Sequence, residues 1–154
     1  MLSEGAQAPA FELPAVDGTA VASARLLAQG PVLLFFFKIS CPVCQMSAPF
    51  VQRIADAHGL QVFGISQDDE ESTEEFNRHT GVKFPVLLDQ GKKRYPVSNA
   101  YGIESVPSLF VIESDGQISM AFSGFSKEDF EALGRRAGGP VFRPDERVPA
   151  FRAG

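Results

Sequence analysis

The sequence predicts a single α/β domain in which helices cover a mixed central sheet. Three observations support this fold class: a strand–helix–strand unit within residues 31–66, a hairpin signal at Asp115-Gly116, and a helical segment after Ser126. A helical crossover makes neighbouring strands parallel, whereas a tight hairpin makes them antiparallel. The 154 residues suffice for one domain with a sizeable core.

The strand–helix–strand unit has a clear apolar pattern. Residues 31–37 are continuously apolar, which is typical of a strand buried on both faces. Residues 42 to about 58 carry apolar side chains at helical spacing, and Gly59 is the predicted C-cap. The apolar stripe of this helix comprises Met46, Phe50, Val51, Ile54 and Ala55. Residues 60–66 form the second strand.

Shorter elements follow this unit. A capping box at residues 72–75 predicts a helix that ends near Gly81. Residues 84–88 predict a short strand. Residues 97–101 predict a helical turn closed by Gly102.

The last elements are a hairpin and a helix. Residues 108–112 and 118–122 alternate around an Asp-Gly pair, a strong hairpin signal. Ser126 and Asp129 form an acidic variant of the capping box, and residues 138–140 end the helix that they open.

The domain is predicted at residues 1–139, followed by a proline-rich, extended tail at residues 140–154. The net charge of -5 disfavours nucleic acid as a partner, and residues 92–94 are interpreted as a solvated basic loop. The N-terminus has no signal-peptide pattern and no apolar run is long enough to insert into a membrane. We therefore expect the protein to be cytoplasmic or the mature form of an exported protein. We also expect it to be a monomer.

Two cysteines, Cys41 and Cys44, lie between the end of the first strand and the start of the helix. Unpaired N–H groups and the partial positive charge of a helix N-terminus favour a thiolate at Cys41. The two-residue spacing allows Cys44 to attack a mixed disulfide formed on Cys41. Pro42 suits the first turn of a helix, whereas Pro49 would kink it.

Three interpretations of the cysteine pair compete. Both residues could be core residues, although core pairs rarely lie at a strand-to-helix junction. A structural zinc site would need two further ligands, and neither His58 nor His79 has ligand spacing to the pair. A C-x-x-C beside a βαβ pattern is typical of a redox dithiol, which is the favoured interpretation.

Three stretches carry a family resemblance: CPVCQMSAP at residues 41–49, SVPSLFVI at residues 105–112, and GAQAPAFELPAVDG at residues 5–18. They resemble the active-site helix, the cis-proline loop and the opening of the redoxin branch of the thioredoxin superfamily. That branch includes TlpA/ResA-like thiol–disulfide oxidoreductases and AhpC/TSA-related peroxiredoxins. The resemblance covers residues 5–137 and implies a thioredoxin-like fold with an N-terminal extension.

The resemblance also implies roles for individual residues. Cys41 would be the attacking thiolate and Cys44 the resolving cysteine. Pro107 would be the cis-proline, placing the backbone of Val106 beside a bound substrate segment. Pro49 would be the kinking proline of the active-site helix. No cofactor is implied beyond the Cys41–Cys44 disulfide, and no metal.

Two positions near the cysteine pair, Ser40 and Phe35, depart from the thioredoxin pattern, and a third, Lys38, is a charged neighbour of the pair. Ser40 stands where thioredoxins usually carry tryptophan. Phe35 aligns with their buried acid, so the usual proton acceptor for the resolving cysteine is missing. Lys38 is the nearest ionisable side chain and would either stabilise a thiolate or be merely solvated.

The predicted function is a thiol–disulfide oxidoreductase that reduces protein disulfides and is regenerated by a thioredoxin-like reductant. A peroxiredoxin-like peroxidase is the alternative. The peroxiredoxin pattern P-x-x-x-[ST]-x-x-C, however, does not fit this sequence with either Cys41 or Cys44 as its cysteine. Relative to Cys41 its positions hold Leu34 and Lys38, and relative to Cys44 they hold Phe37 and Cys41. A metal-binding chaperone or a redox-inactive binding module is the alternative of another class.

Overall fold

A computed structural model describes residues 1–91 and 94–154. Lys92 and Lys93, the first residues of the predicted basic loop, lie outside the described residues. No helix within the described ranges is both long and apolar enough to cross a bilayer. The strands are β1 (Glu12–Pro14), β2 (Ala20–Ala22), β3 (Val32–Phe37), β4 (Gln61–Ser66), β5 (Val86–Leu88), β6 (Ser108–Ile112), β7 (Ile118–Ser123), β8 (Phe125–Ser126) and β9 (Phe151–Arg152). The helices are α1 (Ser23–Gln29), α2 (Pro42–Asp56), α3 (Glu70–Thr80), α4 (Pro96–Ala100) and α5 (Lys127–Ala137).

The central sheet has five strands in the order β5-β4-β3-β6-β7. Strand β3 pairs in parallel with β4 and antiparallel with β6, and β6 continues antiparallel into β7. The sheet is therefore mixed, and the predicted fold class is confirmed. All six residues of β3 are buried, which explains why its sequence is apolar without alternation.

The sheet separates two apolar clusters, one on each face. Residues of β3 alternate between them: Leu33 and Phe35 join one cluster, and Leu34 and Phe36 join the other. The first cluster contains α2, α3 and α5, and it also contains Cys44. The predicted stripe of α2 faces this cluster, with Val51 and Ile54 buried and Met46, Phe50 and Ala55 partly buried. Helix α2 is thus packed against the sheet along its length.

Several helix boundaries differ from the sequence prediction. Helix α3 begins at Glu70 rather than at the predicted capping box, because the Asp69 carboxylate caps it by accepting from the backbone N–H of Ser72. Gly59 is not the C-cap of α2: Ala57 is the cap and His58 takes the left-handed conformation at φ 62°. Gly59 instead donates its backbone N–H to the Ala137 carbonyl at 3.0 Å.

The N-terminal region contains elements that the sequence did not reveal. The antiparallel pair β1–β2 and helix α1 lie between residues 12 and 29. Each strand has three residues, which is too short to show a period-two pattern. The N-cap residue of α1 is Ala22, whose side chain makes no capping hydrogen bond, so the usual start signal of a helix is missing as well.

Residues 140–154 pack onto the domain. Val141 is buried in the first cluster, and the ring of Phe142 lies 5.0 Å from the Phe50 ring. Arg53 of α2 holds Glu146 with two hydrogen bonds, one from each terminal nitrogen, at 2.6 and 2.8 Å. Strand β9 then pairs with β8 beside the start of α5. The proline-rich segment therefore runs along one face of the domain.

Candidate active site

Cys41 is the N-cap residue of α2. Its backbone is extended, its carbonyl accepts from the Gln45 N–H at 3.0 Å, and its sulfur accepts from the Cys44 N–H at 3.2 Å. An N-cap side chain satisfies an otherwise unpaired N–H at the positive end of the helix dipole. The same N–H would stabilise negative charge on the sulfur. Cys41 is partly exposed, so an incoming disulfide can reach it.

Cys44 lies one turn further along α2 and is completely buried. Both cysteines are free thiols. Burial among apolar side chains raises the pKa of the Cys44 thiol far above its ordinary value, and the hydrogen bond with Cys41 acts in the same direction. The Lys38 backbone and the Lys38 charge act in the opposite direction and lower the pKa of Cys44. The two thiols therefore have distinct surroundings, one accessible and one protected.

The loop from β3 to α2 is held by polar contacts. The Ile39 N–H donates to the Asp68 carboxylate at 2.8 Å, and the Gln45 side chain donates to the Ile39 carbonyl at 2.7 Å. Lys38 and Ser40 of this loop are exposed, while the Lys38 carbonyl accepts from the Cys41 N–H at 3.3 Å. These contacts fix the loop backbone, and the Lys38 side chain is left in solvent.

Asp68 was not found by sequence reasoning. It follows the end of β4, at the same edge of the sheet as the cysteines. The order of strands alone could have indicated it, because the carboxyl ends of the parallel strands β3 and β4 meet at one edge. The sequence gives no motif that links Asp68 to the cysteine loop.

The loop before β6 reaches the same site from a distant part of the chain. The Val106–Pro107 peptide bond is cis, and both residues are buried. The Cys41 thiol donates to the Val106 carbonyl oxygen at 3.4 Å. Two segments separated by 65 residues thus meet at the Cys41 sulfur.

The remaining predicted positions lie on α2 and β3. Pro42 occupies the first turn of α2 and is exposed. The helix continues across Pro49, which is also exposed. Phe35 is completely buried and its ring stacks on the Phe37 ring at a centroid distance of 5.2 Å. The position of the missing acid is therefore filled by packed aromatic side chains.

The mixed sheet, with its dithiol at the start of α2 and its cis-proline loop alongside, is a thioredoxin-like fold. A solved structure of a candidate thiol:disulfide interchange protein, DsbE from Chlorobium tepidum, superimposes with a TM-score of 0.74. It is 27% identical and covers 88% of this chain and 96% of its own.

Sequence comparison gives the family. The model of the AhpC/TSA family matches residues 5–121, and the chain belongs to this family. A Mycobacterium tuberculosis protein, named as a candidate peroxiredoxin, is 33% identical over 132 residues, covering 78% of this chain and 84% of its own length. The thiol-disulfide oxidoreductase ResA of Bacillus thuringiensis is 26% identical over 118 residues, covering 74% and 66% respectively.

Proposed function

We propose that the protein is a thiol–disulfide oxidoreductase that reduces disulfide bonds in proteins. The observation that carries this proposal is the asymmetry of the dithiol: the Cys41 sulfur is accessible and accepts an N–H, while Cys44 is buried one turn away. A nucleophile must be reached by its substrate, whereas a resolving thiol must be protected until the mixed disulfide forms. The similarity to ResA supports the same class of reaction.

The reaction proceeds in two thiol–disulfide exchanges. The Cys41 thiolate attacks one sulfur of the substrate disulfide, the substrate S–S bond breaks, and the departing thiolate takes up a proton. Cys44 then loses its proton and attacks the Cys41 sulfur, releasing the second substrate thiol. The substrate gains two electrons and two protons, and the enzyme is left as the Cys41–Cys44 disulfide. A partner dithiol of the thioredoxin type returns the electrons, so the cysteine pair is the only redox carrier proposed.

Substitution of each cysteine tests this mechanism with insulin as the substrate. Cys41→Ser should abolish insulin reduction by a dithiol-regenerated enzyme, because no nucleophile reaches the disulfide. Cys44→Ser should accumulate mixed disulfides between Cys41 and insulin, seen by mass spectrometry under non-reducing conditions. The exposed Ser40→Ala variant serves as the control and should retain folding and reduction. Wild-type rates of insulin reduction in both cysteine variants would overturn the mechanism.

A peroxidase is the second candidate, and the 33% identity to the M. tuberculosis protein favours it. The Cys41 thiolate attacks one oxygen of peroxide, the O–O bond breaks, and the departing hydroxide takes up a proton to form water, which leaves a sulfenic acid on Cys41. The Cys44 thiol would then attack the Cys41 sulfur, forming the disulfide with loss of a second water. Stopped-flow oxidation of Cys41 by hydrogen peroxide, compared with its reaction with insulin, separates the two functions. Faster consumption of peroxide than of insulin at equal concentrations would make peroxide the preferred substrate.

A further inference from the structure

The last residues of the chain run back toward Cys41. Strand β9 pairs antiparallel with β8, with Phe125 opposite Arg152 and Ser126 opposite Phe151. The Lys127 N–H extends this ladder by donating to the Ala150 carbonyl at 3.0 Å. Residues 150–152 therefore lie as an added strand on a short edge, and residues 150–154 are here called the terminal strand segment.

The end of this segment reaches the carbonyl that contacts the active-site thiol. A Cβ atom added at Gly154 would overlap the Val106 carbonyl oxygen and would lie 3.0 Å from the Pro107 Cδ. The same carbonyl oxygen accepts the Cys41 thiol at 3.4 Å. A polypeptide backbone thus lies against the Val106 carbonyl, which borders the Cys41 sulfur.

Phe151 gives the segment a side-chain contact as well. Gly124 has no side chain, and an added Cβ there would lie 3.2 Å from two ring carbons of Phe151. The ring therefore lies close over the Gly124 backbone, although Phe151 is 58% exposed. The surface formed by Gly124 and the Val106 carbonyl therefore binds an extended backbone. It also contacts one aromatic ring, that of Phe151, three residues before Gly154.

The segment is held less firmly than the residues that precede it. Val141 is buried, and the Arg53–Glu146 ion pair fixes the middle of the tail. Residues 151–154 are all exposed, and β9 has only two residues. A short, exposed ladder opens at low free-energy cost, so the terminal strand segment can leave while residues 141–146 stay docked.

We propose that the terminal strand segment occupies the docking surface for protein substrates, and that an extended, aromatic-containing segment beside the substrate disulfide takes its place. The inference rests on the proposed function, since it assigns the substrate surface of the same site. The segment acts as an intramolecular competitor, and its high effective concentration lowers the apparent affinity for polypeptide substrates.

Two substitutions test the competition in the full-length protein. Arg152→Pro removes the backbone N–H of a strand residue, whereas Arg152→Ala removes the side-chain charge but keeps that N–H. Arg152→Pro should raise kcat/KM for insulin by at least about threefold, as expected when a blocked fraction is released. Arg152→Ala should stay near the wild-type value. Gly154→Val, whose side chain would overlap the Val106 carbonyl, should act in the same direction as Arg152→Pro.

The outcomes separate this inference from the proposed function. Unchanged kcat/KM in both Arg152→Pro and Gly154→Val, or equal rises in Arg152→Pro and Arg152→Ala, would overturn it. The rate of Cys41 alkylation by iodoacetamide, measured in a Cys44→Ser background, reports occupancy without any disulfide substrate. Suppose that alkylation of Cys41 is faster in Arg152→Pro but that the wild type does not reduce insulin. This result would support docking of the terminal strand segment beside Cys41 and would refute the proposed function.

A synthetic peptide tests the aromatic contact. The heptapeptide Val-Pro-Ala-Phe-Arg-Ala-Gly, which matches residues 148–154, should inhibit insulin reduction by the Arg152→Pro variant. The same peptide with alanine in place of phenylalanine should inhibit at least about threefold more weakly, since it lacks the ring that lies over Gly124. Equal inhibition by the two peptides would overturn the assignment of an aromatic subsite.

Discussion

The backbone N–H of Cys44 donates to the Cys41 sulfur at 3.2 Å, while the Cys44 side chain is itself completely buried. Two thiols separated by two residues therefore experience opposite environments. Cys41 lies at the positive end of α2 and is partly exposed, and Cys44 packs among the apolar side chains of the first cluster. Because charge at Cys44 is disfavoured, its deprotonation should limit the second exchange of the proposed reaction.

The first prediction is a steep pH dependence of the resolving step. Burial raises the pKa of Cys44 far above its ordinary value, so its thiolate fraction should grow by about tenfold per pH unit across the neutral range. An aromatic disulfide that releases a coloured thiol reports both exchanges. The release that follows attack by Cys44 should accelerate without a plateau up to about pH 9. A plateau near neutral pH would show that another group accepts the proton.

The second prediction concerns Lys38. Its charge opposes the rise in the pKa of Cys44, although the side chain is exposed. Lys38→Met should slow the resolving step by about two- to fivefold at low salt, and salt should remove most of the difference by screening. Lys38→Arg keeps the charge and is the matched control. Equal rates in all three proteins at low salt would show that Lys38 is merely solvated.

The sequence predicted those parts of the fold whose signals are local. Strand β3 and helix α2 show their burial through apolar patterns, and the C-x-x-C spacing marks the strand-to-helix junction. Asp69 was missed as the cap of α3 because Ser72 and Thr73 offered a competing capping pattern. More than one residue near the start of a helix can serve as its N-cap, and tertiary packing decides which of them does.

Contacts between distant segments could not be predicted. The buried Asp89 carboxylate accepts from the backbone N–H groups of Val97 and Ser98, which caps α4 from outside that helix. Asp68 contacts the Ile39 N–H in the same long-range way. The approach of Gly154 to Val106 depends on where the tail docks. Such contacts have no period or spacing in the sequence, because only the folded chain brings the partners together.

The third prediction follows from the corrected role of Gly59. Its backbone contacts the Ala137 carbonyl so closely that an added Cβ would overlap that oxygen. Gly59→Ala should therefore lower the free energy of unfolding by about 1–3 kcal/mol, as overpacked sites do. Gly91→Ala is the control, because among the residues that the structure describes the nearest atoms to its added Cβ are those of Pro96 at 3.9 Å. Urea denaturation measures both, and an equal effect of the two substitutions would contradict the close-contact explanation.

The fourth prediction concerns the ion pair that attaches the tail to α2. Hydrogen bonds from Arg53 and from the Arg143 N–H hold the pKa of Glu146 at about 2, below its ordinary value of 4.5. A depressed carboxyl pKa stabilises the folded state above the ordinary value, and this contribution is lost as the pH falls toward the folded value. The Tm of wild type should exceed that of Glu146→Gln at neutral pH, and the difference should vanish toward pH 2.

Asp145→Asn provides the matched control for this pair. It removes the same charge at the neighbouring exposed position, so it reports the effect of net charge alone. Because the Glu146 carboxylate is accessible to solvent, added salt should also shrink the difference in Tm between wild type and Glu146→Gln. Calorimetry across the acid range measures both dependences. A difference in Tm that is constant with pH, or that Asp145→Asn reproduces, would show that the Arg53–Glu146 contact does not hold the tail to α2.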